Sequence, residues 1–290
     1  MGDSYTAYFA EIYDDVMKQV PYDFWFKYLK DLLKYYRLKP KNILELAAGT
    51  GNMTRELIKL DSAEQITALD LSDSMLNIAA DKIYSETKTE AAPELNLFNS
   101  DMRDFRIDNK HDLILSFFDS LNYLTEKEGL KSCFISAAEA LKKDGIFIFD
   151  MNSIDRIHTI EEKKIVLEGK GYTCFWEDII LEDEDLWKVK LQICPEDKDR
   201  SCFEEIHTER GYSIETIREL LYMSGFKAVD VYRAFSLDKG SDRSDRLYFA
   251  AALTENRLNN NRGKPTKYYY SFKNDLLFLL YSLKYSFLNR

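Results

Sequence analysis

The run Ile43-Leu-Glu-Leu-Ala-Ala-Gly-Thr-Gly-Asn-Met-Thr54 sets an acidic residue, Glu45, and two glycines, Gly49 and Gly51, between an apolar stretch and the first turn of a helix. A strand that runs into a helix N-terminus presents unpaired backbone N–H groups and the positive end of a dipole. Glycines at such a turn let a ligand approach the backbone closely. The dinucleotide fingerprint G-x-G-x-x-G is incomplete, because Thr54 stands where its third glycine belongs. Asp70 ends the next apolar run, Ile66-Thr-Ala-Leu-Asp70, 19 residues after Gly51. A carboxylate at that place can accept both hydroxyls of a ribose. Turn, strand and carboxylate together point to an adenosine-type ligand. Further on, Asn99-Ser-Asp101-Met102 offers Asp101 to an adenine amino group and Met102 to the ring.

The residues that could handle a proton or an acceptor come later. His207 sits in Glu204-Glu205-Ile-His207-Thr-Glu209-Arg210-Gly-Tyr212. Strand alternation puts Glu205, His207 and Glu209 on one face and Ile206, Thr208 and Arg210 on the other. An imidazole titrates near neutrality, which suits removal of a proton from an ammonium or a hydroxyl. Asp119 and Tyr123 follow the apolar run Leu113–Phe118. In open α/β sheets ligands bind at that carboxyl edge. Asp119 would orient an amine and Tyr123 would hydrogen-bond the acceptor. Arg210 and Tyr212 would hold an acidic group or serve only their own sheet. His111 and His158 are given no role.

These residues need a frame. Helical spacing covers 5–18 and 22–37. Strand-like and helical runs then alternate: strands at 42–46, 65–69, 95–99, 113–118 and 146–150, helices at 52–60, 74–84 and 127–142. Such alternation means βαβ units and a parallel sheet covered on both faces. From Asn152 to Tyr212 the pattern turns β-rich. Runs at 174–181, 186–194 and 202–212 read as an antiparallel meander inserted in the α/β domain. A helix at 213–224 and strands at 228–234 and 247–253 complete the domain. The expected parts are a helical cap (1–37), a core (38–151 and 213–254), a lid (152–212) and a C-terminal tail (255–290). In the tail, Phe272, Leu276, Leu279, Leu280, Leu283 and Phe287 fall on one helix face. That stretch from Asn256 carries seven Lys or Arg against one Asp. It is expected to dock on the body, a second subunit or a peptide partner.

Composition narrows the partners. The 290 residues carry 40 Lys plus Arg against 50 Asp plus Glu, a net charge of −10, which disfavours a nucleic acid partner. The 19 Tyr and 18 Phe suit a large core and an amphipathic small-molecule pocket. Cys133, Cys174, Cys194 and Cys202 contain no C-x-x-C pair, so they are expected to be reduced thiols, and no metal site is expected. No apolar signal core and no run of 18 apolar residues occur. The expectation is a cytoplasmic protein without a transmembrane segment.

The segments E-L-A-A-G-T-G (45–51), A-L-D-L-S (68–72), S-D-M (100–102), D-L-I-L-S-F-F-D-S-L-N-Y (112–123) and D-G-I-F-I-F-D (144–150) resemble, in order and spacing, the class I S-adenosylmethionine-dependent methyltransferases. The resemblance spans residues 1–254. One departure is Ala47, where many members carry glycine, and a mild narrowing of the approach to the cofactor is expected from it. The resemblance implies a doubly wound, Rossmann-like seven-stranded sheet whose last strand is antiparallel, with an N-terminal helical cap and an inserted antiparallel β lid. It implies S-adenosylmethionine as cofactor, held by Tyr13, Trp25, Glu45, Ala47, Gly49, Gly51, Asp70, Leu71, Met75, Asp101, Met102 and Phe117. YFAEIYDD (8–15) and Tyr22-Asp-Phe-Trp25 further resemble the amino-sugar and glycine N-methyltransferase type. That places Tyr13 and Trp25 in the cap, and Asp119, Asn122, Tyr123, Trp176, His207, Arg210 and Tyr212 around the acceptor, with His207, Tyr13, Asp119 and Tyr123 nearest the chemistry. A small amine is the first acceptor expected, and a carboxylate on a small molecule or modified peptide the second. A nicotinamide-dependent oxidoreductase is disfavoured, since Tyr35–Lys39 and Tyr269–Lys273, the Tyr-x-x-x-Lys matches noted, precede the turn or lie in the tail. A non-catalytic cofactor-binding scaffold is the other rival.

Overall fold

The computed structural model describes residues 6–86, 92–197 and 199–259. Four apolar runs and one mixed run, the edge strand β3, form the parallel strands β1 (Asn42–Leu46), β2 (Gln65–Asp70), β3 (Glu94–Asn99), β4 (His111–Ser116) and β5 (Leu141–Asn152). β10 (Ala228–Arg233) and β11 (Arg246–Ala252) extend the same sheet, whose order is β10-β11-β5-β4-β1-β2-β3. β11 runs antiparallel to both of its neighbours. The central strands are apolar on both faces because both are covered. On one face Ile43, Leu113, Leu115, Ile148 and Tyr248 meet Phe24, Tyr28 and Leu32 of α2 (Tyr22–Tyr35). On the other, Leu44, Ile114, Phe147 and Phe149 meet α5 (Lys127–Ala140) and α7 (Ile214–Met223). The helices α3 (Asn52–Leu57) and α4 (Asp73–Glu86) follow β1 and β2.

The insertion departs from the expected three strands. It is a four-stranded antiparallel meander of β6 (Lys164–Gly169), β7 (Tyr172–Leu181), β8 (Leu186–Pro195) and β9 (Phe203–Arg210), preceded by the short helix α6 (Ile154–Thr159). β6 is an edge strand with mostly exposed side chains, so no apolar alternation marks it. α6 is shorter than two turns and rests on a cap, Ser153 Oγ accepting from Arg156 N–H at 3.0 Å. β5 starts at Leu141, directly after α5, so the helix expected over 127–142 ends at Ala140. The lid's inner face, with Tyr172, Cys174, Val189, Leu191 and Ile193, packs on Phe9, Ala10 and Ile12 of α1 (Ala7–Val16).

The cysteine expectation is half overturned. Cys194 and Cys202 form a disulfide, because the β8–β9 turn brings together two residues that no short spacing motif links. Cys133 and Cys174 are free and buried. Among the described residues no helix is long and apolar enough to cross a membrane. The apolar face at 272–287 lies outside the described residues.

Candidate active site

The turn after β1 is left-handed at three positions: Ala47 (φ 53°), Gly49 (φ 55°) and Gly51 (φ 75°). At Ala47 that conformation costs an L-residue about 1–2 kcal/mol, so the departure from glycine is a matter of backbone strain as well as of width. A Cβ at Gly51 would stand 2.9 Å from Ala79 Cβ, so glycine here lets α3 and α4 close together. A Cβ at Gly49 would meet nothing within 4 Å. The space above Gly49 is open, and the protein's own packing does not need it bare. Asp70 fixes the turn from the neighbouring strand. Its Oδ2 accepts from Gly49 N–H at 2.7 Å and its Oδ1 from Ser72 N–H at 2.9 Å. Burial raises its carboxyl above the usual range against those two donors. Leu71 beside it is 64% exposed, while Met75 is buried. Glu45 lies under the turn and accepts from the Thr54 hydroxyl at 2.6 Å. Burial pushes it up to about 8.

The cap is tied to this turn by Asp14. Asp14 accepts from Thr50 Oγ1 at 2.7 Å and Asn52 Nδ2 at 2.8 Å, and Lys82 Nζ lies 2.5 Å away. Burial raises its carboxyl, but these donors outweigh that and leave it below its ordinary value. Tyr13 is half-buried and meets Phe9 edge-on at 5.8 Å. Trp25 stacks on Phe118 at 4.8 Å. Its Nε1 is buried with no hydrogen-bond partner among the described residues. Phe117 is buried and edge-on to Tyr248 at 5.6 Å. Asp101 is engaged by Arg103, whose Nε lies 3.0 and 2.9 Å from its two oxygens, and this pair holds the Asp101 carboxyl down. Met102 packs on the α5 side of the sheet.

A second polar cluster begins where β4 ends. Phe118 (φ 62°) and Asp119 (φ 54°) are consecutive left-handed residues. Such strain persists only where the surroundings over-determine it. Asp119 accepts from Asn152 Nδ2 at 2.7 Å and from Arg246 Nη1 at 2.9 Å. Arg246 also pairs with Asp150. Asn152 Nδ2 donates in addition to Glu209 Oε2 at 2.9 Å. Burial pushes Asp150 up to about 6 against the pull of Arg246. Burial, with Asp119 nearby, lifts Glu209 well above the carboxylate range.

β9 supplies the lid side. Glu205, His207 and Glu209 all face inward and are buried. His207 Nε2 lies 3.2 Å from Glu205 Oε2, with the rings of Phe9 at 5.5 Å and Tyr123 at 6.1 Å. Glu205 Oε1 accepts from both the N–H and the hydroxyl of Thr6. Several expected acceptor contacts have other work. Asn122 donates to the carbonyls of Asn152 and Arg210 and accepts from Asn152 N–H. Arg210 donates to the carbonyls of Thr125 and Glu184, and Tyr212 OH to that of Leu124. Trp176 Nε1 donates to Asp178, within the lid. Sequence reasoning missed Asn152, Asp150 and Arg246. Alternation had named Glu205 and Glu209, but only as neighbours of His207.

The matching family model is that of the methyltransferase domain, over residues 43–145. A putative methyltransferase, YqeM of Bacillus subtilis (strain 168), is 30% identical over 254 residues, covering 84% of this chain and 95% of that protein. The crystal structure of an S-adenosylmethionine-dependent methyltransferase from Clostridium acetobutylicum ATCC 824 superposes with a TM-score of 0.72 at 29% identity, covering 84% of this chain and 97% of the other. A dTDP-3-amino-3,4,6-trideoxy-alpha-D-glucopyranose N,N-dimethyltransferase of Streptomyces venezuelae is 29% identical over 122 residues, covering 42% of this chain and 47% of that protein. The cradle fits S-adenosylmethionine: open space over Gly49, a carboxylate at the end of β2, and an exposed apolar side chain, Leu71, next to it. The chain belongs to the class I S-adenosylmethionine-dependent methyltransferases.

Proposed function

We propose that the protein methylates the amine of a small molecule, with His207 as the general base. The observation that carries this reading is a buried histidine on the inward face of the lid strand, paired with Glu205 at 3.2 Å. Bound S-adenosylmethionine supplies a methyl group already activated by its sulfonium, transferred in line to an acceptor about 3–3.5 Å away. The rest is done by the chain. An ammonium has to lose a proton before its lone pair is free, and His207 takes that proton. Glu205, with Oε2 3.2 Å from Nε2, stabilises the imidazolium so formed. Phe9 and Tyr123 shield the ring from water. Asp119, held by Asn152 and Arg246, lies at the carboxyl edge of β4 and orients the acceptor nitrogen. Asp70 holds the cofactor's ribose, and the cap residues Tyr13 and Trp25 close over it. The relative from Streptomyces venezuelae, named for N,N-dimethylation of an amino sugar, supports an amine.

The test is a labelled-methyl screen of cell extract, with products identified by mass spectrometry. An N-methylated small molecule is expected. An O-methylated acid would favour the carboxylate reading, which needs no base, and would leave His207→Ala with an unchanged rate.

A further inference from the structure

A cavity of about 310 Å³ opens beside Asp119. It is lined by Asp119, Asn152, Arg156, Trp187, Asp245 and Arg246. Five parts of the fold contribute to it: the turn after β4, the end of β5, α6, the lid strand β8 and the start of β11. Its size suits a small metabolite. Its charges fall into two groups. Arg246 is committed to Asp119 and Asp150. Arg156, in contrast, is exposed, and its guanidinium makes no ion pair or hydrogen bond among the described residues. Asp245 is exposed and uses only its backbone carbonyl, which accepts from Ser153 N–H. Trp187 is half-buried, and its Nε1 is anchored on Asp178 at 3.0 Å.

From this arrangement we infer that the cavity is the acceptor's subsite, and that the acceptor carries an acidic group, a carboxylate or a phosphate, which Arg156 binds while the amine lies toward Asp119. The inference rests on the amine reading above and narrows it. A plain amine would find carboxylates at Asp119 and Asp245 but would leave the Arg156 guanidinium as an unneutralised cation in the same cavity. A guanidinium pairs carboxylate or phosphate in two-point fashion. Trp187 supplies a flat wall for the body of the molecule between the two charged ends.

The test uses the acids alone as probes. The full chain, saturated with S-adenosylhomocysteine, is titrated with inorganic phosphate and separately with acetate, and binding is followed by ligand-observed NMR. Saturable binding of at least one anion is expected. It should weaken at least tenfold in Arg156→Ala and return only in part in Arg156→Lys, which keeps the charge but not the two-point fork, with melting curves of both variants matching the parent. The anion that binds more tightly tells a phosphorylated acceptor from a carboxylic one. Absence of saturable binding, or binding that Arg156→Ala leaves unchanged, overturns the inference. The extract screen separates the two levels. A methylated amine without an acidic group overturns this inference alone, whereas an O-methylated product overturns the amine reading beneath it.

Discussion

The glycine turn and the lid strand β9 are built differently. The turn is made of backbone: three left-handed residues within five positions, held by a single carboxylate from the next strand. The region around β9 is made of side chains drawn from far apart. Thr6 meets Glu205, Asn152 meets Glu209, and Arg246 meets both Asp119 and Asp150. A backbone cradle suits a ligand that does not change. A cluster of interchangeable side chains is where acceptor choice can vary while the cofactor site stays the same.

Substitutions should therefore separate the two regions. His207→Ala is expected to lower kcat by about 10²–10⁴-fold, the usual worth of a general base. Its affinity for S-adenosylhomocysteine, measured by calorimetry, should stay within about twofold, because the cradle is untouched. Asp70→Ala should do the reverse. Losing the charged acceptor of the ribose hydroxyls costs about 2–3 kcal/mol, so cofactor affinity should drop about a hundredfold. Equal damage to turnover and cofactor binding by both variants would mean that the two regions are not independent.

Glu45→Gln probes the buried floor of the cradle. Folding raises this carboxyl from its ordinary value to about 8, so between about 4.5 and 8 the folded chain keeps a proton that the unfolded chain releases. Stability contributed by the protonated form is thus lost as pH rises through that window. The glutamine variant should be more stable than the parent by about 1–3 kcal/mol at pH 8 and equal to it near pH 4, as read by denaturant titration. The smallest effect belongs to Ala47→Gly. Relief of left-handed strain is offset by the entropy glycine gains on unfolding, so stability should change by less than about 1 kcal/mol.

The same contrast explains what the sequence disclosed. The sheet was legible because β1, β2, β4 and β5 are apolar runs separated by helical periods, and the cradle because Glu45 to Gly51 is contiguous. The edge strand β6 and the two-turn-or-shorter α6 carry too little periodic signal to be seen. The polar cluster of Asp119, Asp150, Asn152, Glu209 and Arg246 leaves no motif, since its members meet only after the lid folds back on the sheet. Asn122, Arg210 and Tyr212 look like binding groups by residue type, yet their polar atoms bond to backbone carbonyls. Cys194 and Cys202 are eight residues apart and bond across a turn that spacing rules do not describe.

The bonds of β9 bear on how molecules come and go. Glu205 grips the start of the first helix, while Arg210 and Glu209, toward the strand's other end, are held by two asparagines. A strand fastened near both ends cannot swing like a flap. To open, it would have to release the bonds at its two ends together, so it moves with the first helix and the end of β5 rather than by itself.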